Sequence, residues 1–104
     1  MLAAEARCWL ELHPARAIGT LEDVLRLWPQ DRTRGRGIHH ARLALACAAD
    51  KEPERAAEEG VKALDIVQTT KSDVTVRELK RLDQELAGFD TPAAAGFREM
   101  YASR

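Results

Sequence analysis

Proline recurs at a fixed interval along this sequence of 104 residues. Pro14, Pro53 and Pro92 are each 39 residues apart, and an alanine stands three positions after each of them. One helical pattern ends before each proline and another begins at it, which is typical of stacked helical hairpins. Proline suits the first turn of a helix, because the N–H that it lacks has no partner there in any case.

The repeat predicts the fold class. Apolar residues recur at helical spacing in every unit, and no segment alternates apolar and polar residues with a period of two. The sequence therefore predicts one all-α domain over residues 1–104, an α-solenoid of about six helices in three antiparallel hairpins. The three units are approximately residues 1–29, 36–69 and 73–104.

The boundaries and packing positions of the helices also follow from the pattern. The polar segment Gln30–Gly37 is a predicted loop, followed by a helix over Ile38–Ala49, and Thr91 is a predicted N-cap. Phe97, Met100 and Tyr101 supply a bulky face of the last helix. Four alanines are expected at the tightest helix crossings: Ala17, Ala44, Ala56 and Ala95.

Charge and composition exclude several classes of function. The net charge of −1 and the aromatic content of 5% give no general attraction to nucleic acid or anionic membranes and no base-stacking surface. No apolar run approaches the roughly 18 residues of a membrane span. Glu5, Arg7 and Glu11 interrupt the segment that a signal peptide would need to keep apolar. We expect a cytoplasmic protein that binds neither nucleic acid directly nor a membrane.

The sequence contains no recognisable active site. It has no Ser/His/Asp or Cys/His set, glycine-rich phosphate loop or suitably spaced carboxylate pair, so no catalytic residue and no cofactor are predicted. Adjacent helical residues point about 100° apart, so His39 and His40 cannot hold one metal ion through a shared face. These histidines are expected to be surface residues at the start of a helix, and no metal site is predicted.

Two further groups have ordinary structural interpretations. Cys8 and Cys47 lie one repeat apart, where helix axes are roughly 8 to 10 Å from each other, a poor geometry for a disulfide. We interpret both as small buried apolar side chains, with a reactive thiol or a metal ligand as the alternatives. A basic cluster that is interrupted by Asp31 is interpreted as a solvated loop rather than a phosphate site: Arg32, Arg34, Arg36 and Arg42.

The repeat units resemble tetratricopeptide repeats. In the second unit Leu43, Ala44, Ala56 and Ala63 stand at positions where that family has its leucine and small residues, and Cys47 stands where it has an aromatic residue. The first unit matches through Ala17, Leu21, Leu25 and Pro29, and the third through Leu79, Leu82, Leu86, Ala95 and Ala102. The period of 39 is longer than the family's repeat of about 34 residues.

Residues 41–86 further resemble the C-terminal repeat region of actinobacterial regulators that carry an N-terminal helix-turn-helix of the Cro/CI type. The resemblance rests on Ala41–Ala44, Glu54–Ala57 and Arg77–Leu82. It implies a regulatory region that senses a ligand or a protein and dimerises. The DNA-reading helices of those regulators have no counterpart in this sequence.

The tetratricopeptide resemblance implies a concave groove on the first helix of each unit. Its positions correspond here to Leu2 and Trp9, to Ile38 and Leu45, and to Arg77, Lys80 and Gln84. Such a groove is apolar at one end and basic at the other. It suits a peptide with hydrophobic side chains and an acidic residue or a terminal carboxylate.

Met1 falls inside the first helix of a repeat unit, so the side of that helix bearing Leu2 and Trp9 is expected to be covered by a longer array or by a second copy of the chain. The function that we predict is a non-catalytic protein-binding, peptide-binding or ligand-sensing regulatory module. It is either the C-terminal part of a bacterial transcriptional regulator or a stand-alone relative. The alternative is a helical-bundle enzyme or metal protein that uses the histidines and cysteines.

Overall fold

The computed structural model describes residues 13–104, which form five helices and contain no strand. The all-α prediction is confirmed for this part of the chain. The first predicted helix falls within residues 1–12 and lies outside the described residues. None of the described helices is both long and apolar enough to cross a membrane. The helices are α1 (Pro14–Leu27), α2 (Thr33–Ala49), α3 (Pro53–Thr70), α4 (Asp73–Leu86) and α5 (Pro92–Ser103).

The local signals for helix starts are confirmed. The three prolines of the repeat each occupy the first position of a helix, in α1, α3 and α5. The Thr91 hydroxyl accepts a hydrogen bond of 3.2 Å from the backbone N–H of Ala94, which is the predicted N-cap of α5. Ser72 caps α4 in the same way, through a hydrogen bond of 3.3 Å from the N–H of Thr75.

The prediction of a loop over residues 30–37 is wrong for most of that segment, because α2 begins inside it. Glycine destabilises a helix by about 1 kcal/mol relative to alanine, but both glycines here lie against neighbouring side chains. Gly35 lies against the ring of Trp28, and a Cβ atom on Gly37 would be 2.8 Å from Cγ2 of Ile66. The neighbouring side chains can pack this closely only because glycine has no side chain, and this packing outweighs the low helix propensity of glycine.

α2 is the central helix of the described structure. It packs against α1, α3 and α4, while α3 also contacts α4 and α5, and α4 contacts α5. Short connections join α2 to α3 and α3 to α4, which places these consecutive helices antiparallel. The interior of α2 includes an unbroken run of buried residues from Leu43 to Ala48. The core of the protein is thus built around α2.

The predicted packing positions are correct in α1, α2 and α3 and shifted by one residue in α5. Ala17, Ala44 and Ala56 are buried, as predicted. Ala95 is exposed, and its neighbour Ala94 is fully buried instead. The sequence repeat therefore does not fix which face of α5 is turned inward.

The ring of Phe97 explains this rotation of α5. It is 1% exposed, and its Cε1 atom lies 2.8 Å from the place that a Cβ atom on Gly60 would occupy. Ala94 stands one turn before Phe97 and so shares its inward face. Met100 is 49% exposed, so the bulky face predicted for this helix is buried mainly through Phe97.

Candidate functional site

The predicted partner groove lies only partly on the described surface. Leu2 and Trp9 lie outside the described residues. Leu45 is 5% exposed and belongs to the hydrophobic core, whereas Ile38 is half-buried. The structure thus gives Leu45 a packing role and leaves Ile38 at the edge of the surface.

The predicted groove residues of α4 share one exposed face. Arg77, Lys80 and Gln84 are exposed, and the buried leucines of α4 lie on the other side of the helix. Their spacings of three and four residues place them next to one another along the helix. Neither Arg77 nor Lys80 forms an ion pair with any residue in the described part of the chain. We call these three residues the α4 basic strip.

A second surface feature, which we call the polar cleft, is formed by α1, the α1–α2 connection, α2 and α3. It has a volume of about 350 Å³, at the low end of the range of roughly 300 to 1,000 Å³ found for small-molecule sites. Its lining combines charged groups with two leucines: Glu22, Leu25, Arg26, Gln30, Arg36, His40, Leu43, Arg55 and Glu59.

His40 and Glu59 form a largely buried pair in the polar cleft. His40 Nδ1 lies 2.7 Å from Glu59 Oε1, and the two side chains are 15% and 8% exposed. A carboxylate only accepts hydrogen bonds, so His40 donates its Nδ1–H. The prediction that His40 is a surface residue is wrong, because its side chain is largely buried against Glu59, 19 positions away on the next helix. One signal existed: Glu59 stands among small residues on the inward face of α3.

Glu59 is ionised at neutral pH in spite of its burial. Desolvation alone raises its pKa, but the hydrogen bond from His40 and the charge and hydrogen bond of Lys62 outweigh this effect and lower the pKa overall. The Lys62 ammonium donates to Glu59 Oε2 at 3.2 Å. The carboxylate is therefore held by one partner on α2 and another on its own helix.

Two further ion pairs involve α1, and one of them connects it to α3. Arg55 of α3 donates to Glu22 of α1, and Arg26 donates to Asp23 at 2.9 Å within α1. The Arg55–Glu22 pair bridges two helices that do not otherwise pack together in the described structure. Both pairs are substantially exposed, and exposed pairs of this kind contribute about 0.2 to 1 kcal/mol each.

Arg36 is the exception among the arginines of the cleft. Its Nε atom is buried and has no hydrogen-bond partner, and its guanidinium forms no ion pair with any described residue. Leaving a buried donor unsatisfied costs about 1 to 3 kcal/mol. Arg36 belongs to the arginine cluster for which the sequence predicts a solvated loop, and the structure instead places it in the first turn of α2.

The other candidate reactive groups, His39 and Cys47, are packed against neighbouring side chains. The ring of His39 packs edge to face against the ring of Trp28, with 4.6 Å between the ring centroids. Burial lowers the pKa of His39, and the nearby Arg42 and His40 lower it further. Cys47 is a free and fully buried thiol, as predicted, whereas Cys8 lies outside the described residues. Burial raises the pKa of Cys47 to about 11, so the thiol stays protonated at neutral pH and is a poor nucleophile.

Within residues 13–104, no group of three histidines, cysteines or acidic residues is placed to hold a metal ion. The polar groups of the cleft are mostly paired with one another, and the α4 basic strip presents charge without a nucleophile or a base. No protein-family model, curated protein or solved structure matches this chain.

Proposed function

We propose that this chain is a non-catalytic, cytoplasmic regulatory module that binds an acidic segment of a protein partner through the α4 basic strip. In this proposal its helices belong to a tetratricopeptide-like solenoid with a period of 39, related to the C-terminal region of actinobacterial Cro/CI-type regulators. The observation that carries the proposal is the pair of exposed cations, Arg77 and Lys80, which have no ion-pair partner among the described residues.

A rigid helix is a suitable platform for such contacts. The buried leucines of α4 fix the helix against α2, α3 and α5, so the strip is held in place before a partner arrives. Charge-assisted hydrogen bonds to a carboxylate are about twice as strong as those between neutral groups. Gln84 supplies a neutral donor and acceptor one turn further along the helix. An extended acidic peptide would meet all three side chains in order.

The test is a peptide selection followed by charge reversal. Peptides selected from a random library against the full chain should be enriched in Asp, Glu or a free carboxylate next to apolar residues. Fluorescence anisotropy should then show that Arg77→Glu with Lys80→Glu weakens binding by at least about tenfold, as expected for the loss of roughly 1.4 kcal/mol. The melting temperature should change little, because both side chains are exposed.

The matched control is Arg34→Glu with Lys51→Glu, which makes the same change in net charge at exposed positions on α2 and the α2–α3 connection. This control should weaken binding by less than about twofold at physiological salt, because distant exposed charges are screened. Selected peptides without acidic preference would refute the proposal. Unfolding of the Arg77/Lys80 double variant would do the same, since these residues would then be structural.

A further inference from the structure

We infer that the polar cleft binds a small monocarboxylate, with the carboxylate on Arg36 and an apolar tail against Leu25 and Leu43. This site goes beyond the proposed peptide-binding function, because it is formed by α1, the α1–α2 connection, α2 and α3. The α4 basic strip contributes no residue to it. The two proposals therefore stand or fall separately.

The charge balance of the cleft points to an anion. Two of its three arginines are neutralised, Arg26 by Asp23 and Arg55 by Glu22. Glu59 is neutralised by the ammonium of Lys62 and also accepts a hydrogen bond from His40. These pairs leave the guanidinium of Arg36 as the cation of the lining that has no counterion in the described structure, with its Nε atom buried and unsatisfied.

The position of Arg36 strengthens the same preference. Arg36 lies in the first turn of α2, where the helix dipole favours negative charge. This turn contains no acidic residue, and no side chain caps the helix. A carboxylate at Arg36 would therefore meet a guanidinium close to the positive end of a helix.

The number of charges selects a monoanion. One unmatched guanidinium balances one negative charge, and any further charge on the ligand would face the carboxylates of Glu22 and Glu59, which also line the cleft. Phosphate carries more than one charge at neutral pH, so it should be accepted less well than a carboxylate.

The two leucines select a ligand with an apolar end. Leu25 and Leu43 line the cleft beside the charged groups, and Leu43 is part of the buried core. The volume of about 350 Å³ suits an acid of a few carbon atoms. Burying one methylene contributes about 0.8 kcal/mol, so butyrate, with its two additional methylenes, should bind roughly fifteenfold more tightly than acetate.

The experiment is an NMR titration of the full chain with sodium butyrate, sodium acetate and inorganic phosphate at constant ionic strength. We expect saturable shifts in the first turn of α2 and at His40, with affinity falling from butyrate to acetate to phosphate. Arg36→Gln should weaken butyrate binding by at least about tenfold. Arg34→Gln, an exposed arginine in the same turn, should change it by less than about twofold.

Leu25→Asn provides an independent test, because it leaves Arg36 in place. It should abolish the preference for butyrate over acetate while keeping acetate binding, and circular dichroism checks that each variant stays helical. If Arg36→Gln loses its helical signal, the Leu25→Asn result decides the question. The inference is overturned by shifts that do not saturate, by phosphate binding as tightly as butyrate, or by an unchanged preference in Leu25→Asn.

Discussion

We call the consecutive helices α2 and α3 the first hairpin and the consecutive helices α4 and α5 the second hairpin. Both carry charged residues, but they use them differently. In the first hairpin, His40 and Glu59 meet between the two helices at 2.7 Å and are largely buried. In the second, Arg98 and Asp83 meet at 3.1 Å near the surface, and the α4 basic strip faces outward without partners in the described structure. A largely buried pair therefore joins the helices of the first hairpin, whereas the second is joined by a more exposed pair and also leaves charge available for binding.

The difference follows from what fills each interface. Small residues line the contact between α2 and α3, which leaves room for a polar pair between them. The contact of α5 with its neighbours is filled by the ring of Phe97, which leaves no such room. We expect that removing the charge of Glu59 will lower the stability of the protein, whereas removing the charges of the α4 basic strip will alter only binding.

The largest expected effect tests the apolar contact that Phe97 makes between α5 and its neighbours. Phe97→Ala should lower the free energy of unfolding by about 3 to 5 kcal/mol, because it removes a buried aromatic ring and leaves a cavity beside Gly60. Met100→Ala, in the same helix but half-exposed, should cost less than about 0.5 kcal/mol. Urea denaturation measures both. Equal losses would show that α5 is not oriented as described.

The next prediction compares equivalent positions of the repeat. Ala56→Leu should destabilise the protein by about 1 to 3 kcal/mol, because a fully buried alanine leaves no space for a larger side chain. Ala95→Leu should change stability by less than about 0.5 kcal/mol, because this alanine is exposed. Thermal melts of the two variants provide the measurement. A large loss of stability from Ala95→Leu would mean that Ala95 is buried, as the sequence repeat predicts.

The buried charge pair should produce a smaller, pH-dependent effect. Glu59→Gln keeps an acceptor for His40 but removes the charge, so it should cost about 1 to 2 kcal/mol at pH 7. Because the pKa of Glu59 is lowered in the folded protein, its stabilisation is present at neutral pH and is lost as the pH falls through the folded pKa, below the ordinary value of 4.5. Wild type should therefore lose stability more steeply than Glu59→Gln below about pH 4.5.

The matched control for this experiment is Arg77→Gln, which removes an exposed charge from the second hairpin. At pH 7 and at pH 4 it should leave the free energy of unfolding within about 0.5 kcal/mol of wild type. Urea midpoints at these two pH values compare wild type, Glu59→Gln and Arg77→Gln. An acid response of Glu59→Gln identical to that of wild type would mean that the Glu59 charge contributes nothing.

What the sequence predicts well here is local, and what it misses depends on contacts between helices. The prolines and Thr91 mark helix starts because their effects act within one turn. The sequence does not reveal the helical start of α2, because Gly35 and Gly37 are accommodated by packing against side chains outside this helix, those of Trp28 and Ile66. The His40–Glu59 pair was missed because its members are 19 positions apart, although an acidic residue on the inward face of α3 was visible.

The smallest expected effect concerns the link between α1 and the first hairpin. Arg55 and Glu22 form an ion pair that is partly exposed, so a double-mutant cycle with Arg55→Gln and Glu22→Gln should give a coupling of about 0.2 to 1 kcal/mol. The coupling energy should become smaller when the salt concentration is raised from 0.05 to 0.5 M, because salt screens the attraction between exposed charges. The same cycle on Arg98 and Asp83 gives the comparison in the second hairpin, where one partner is less exposed. If the Arg55–Glu22 coupling is near zero at low salt, α1 is held by its apolar contacts with α2 alone.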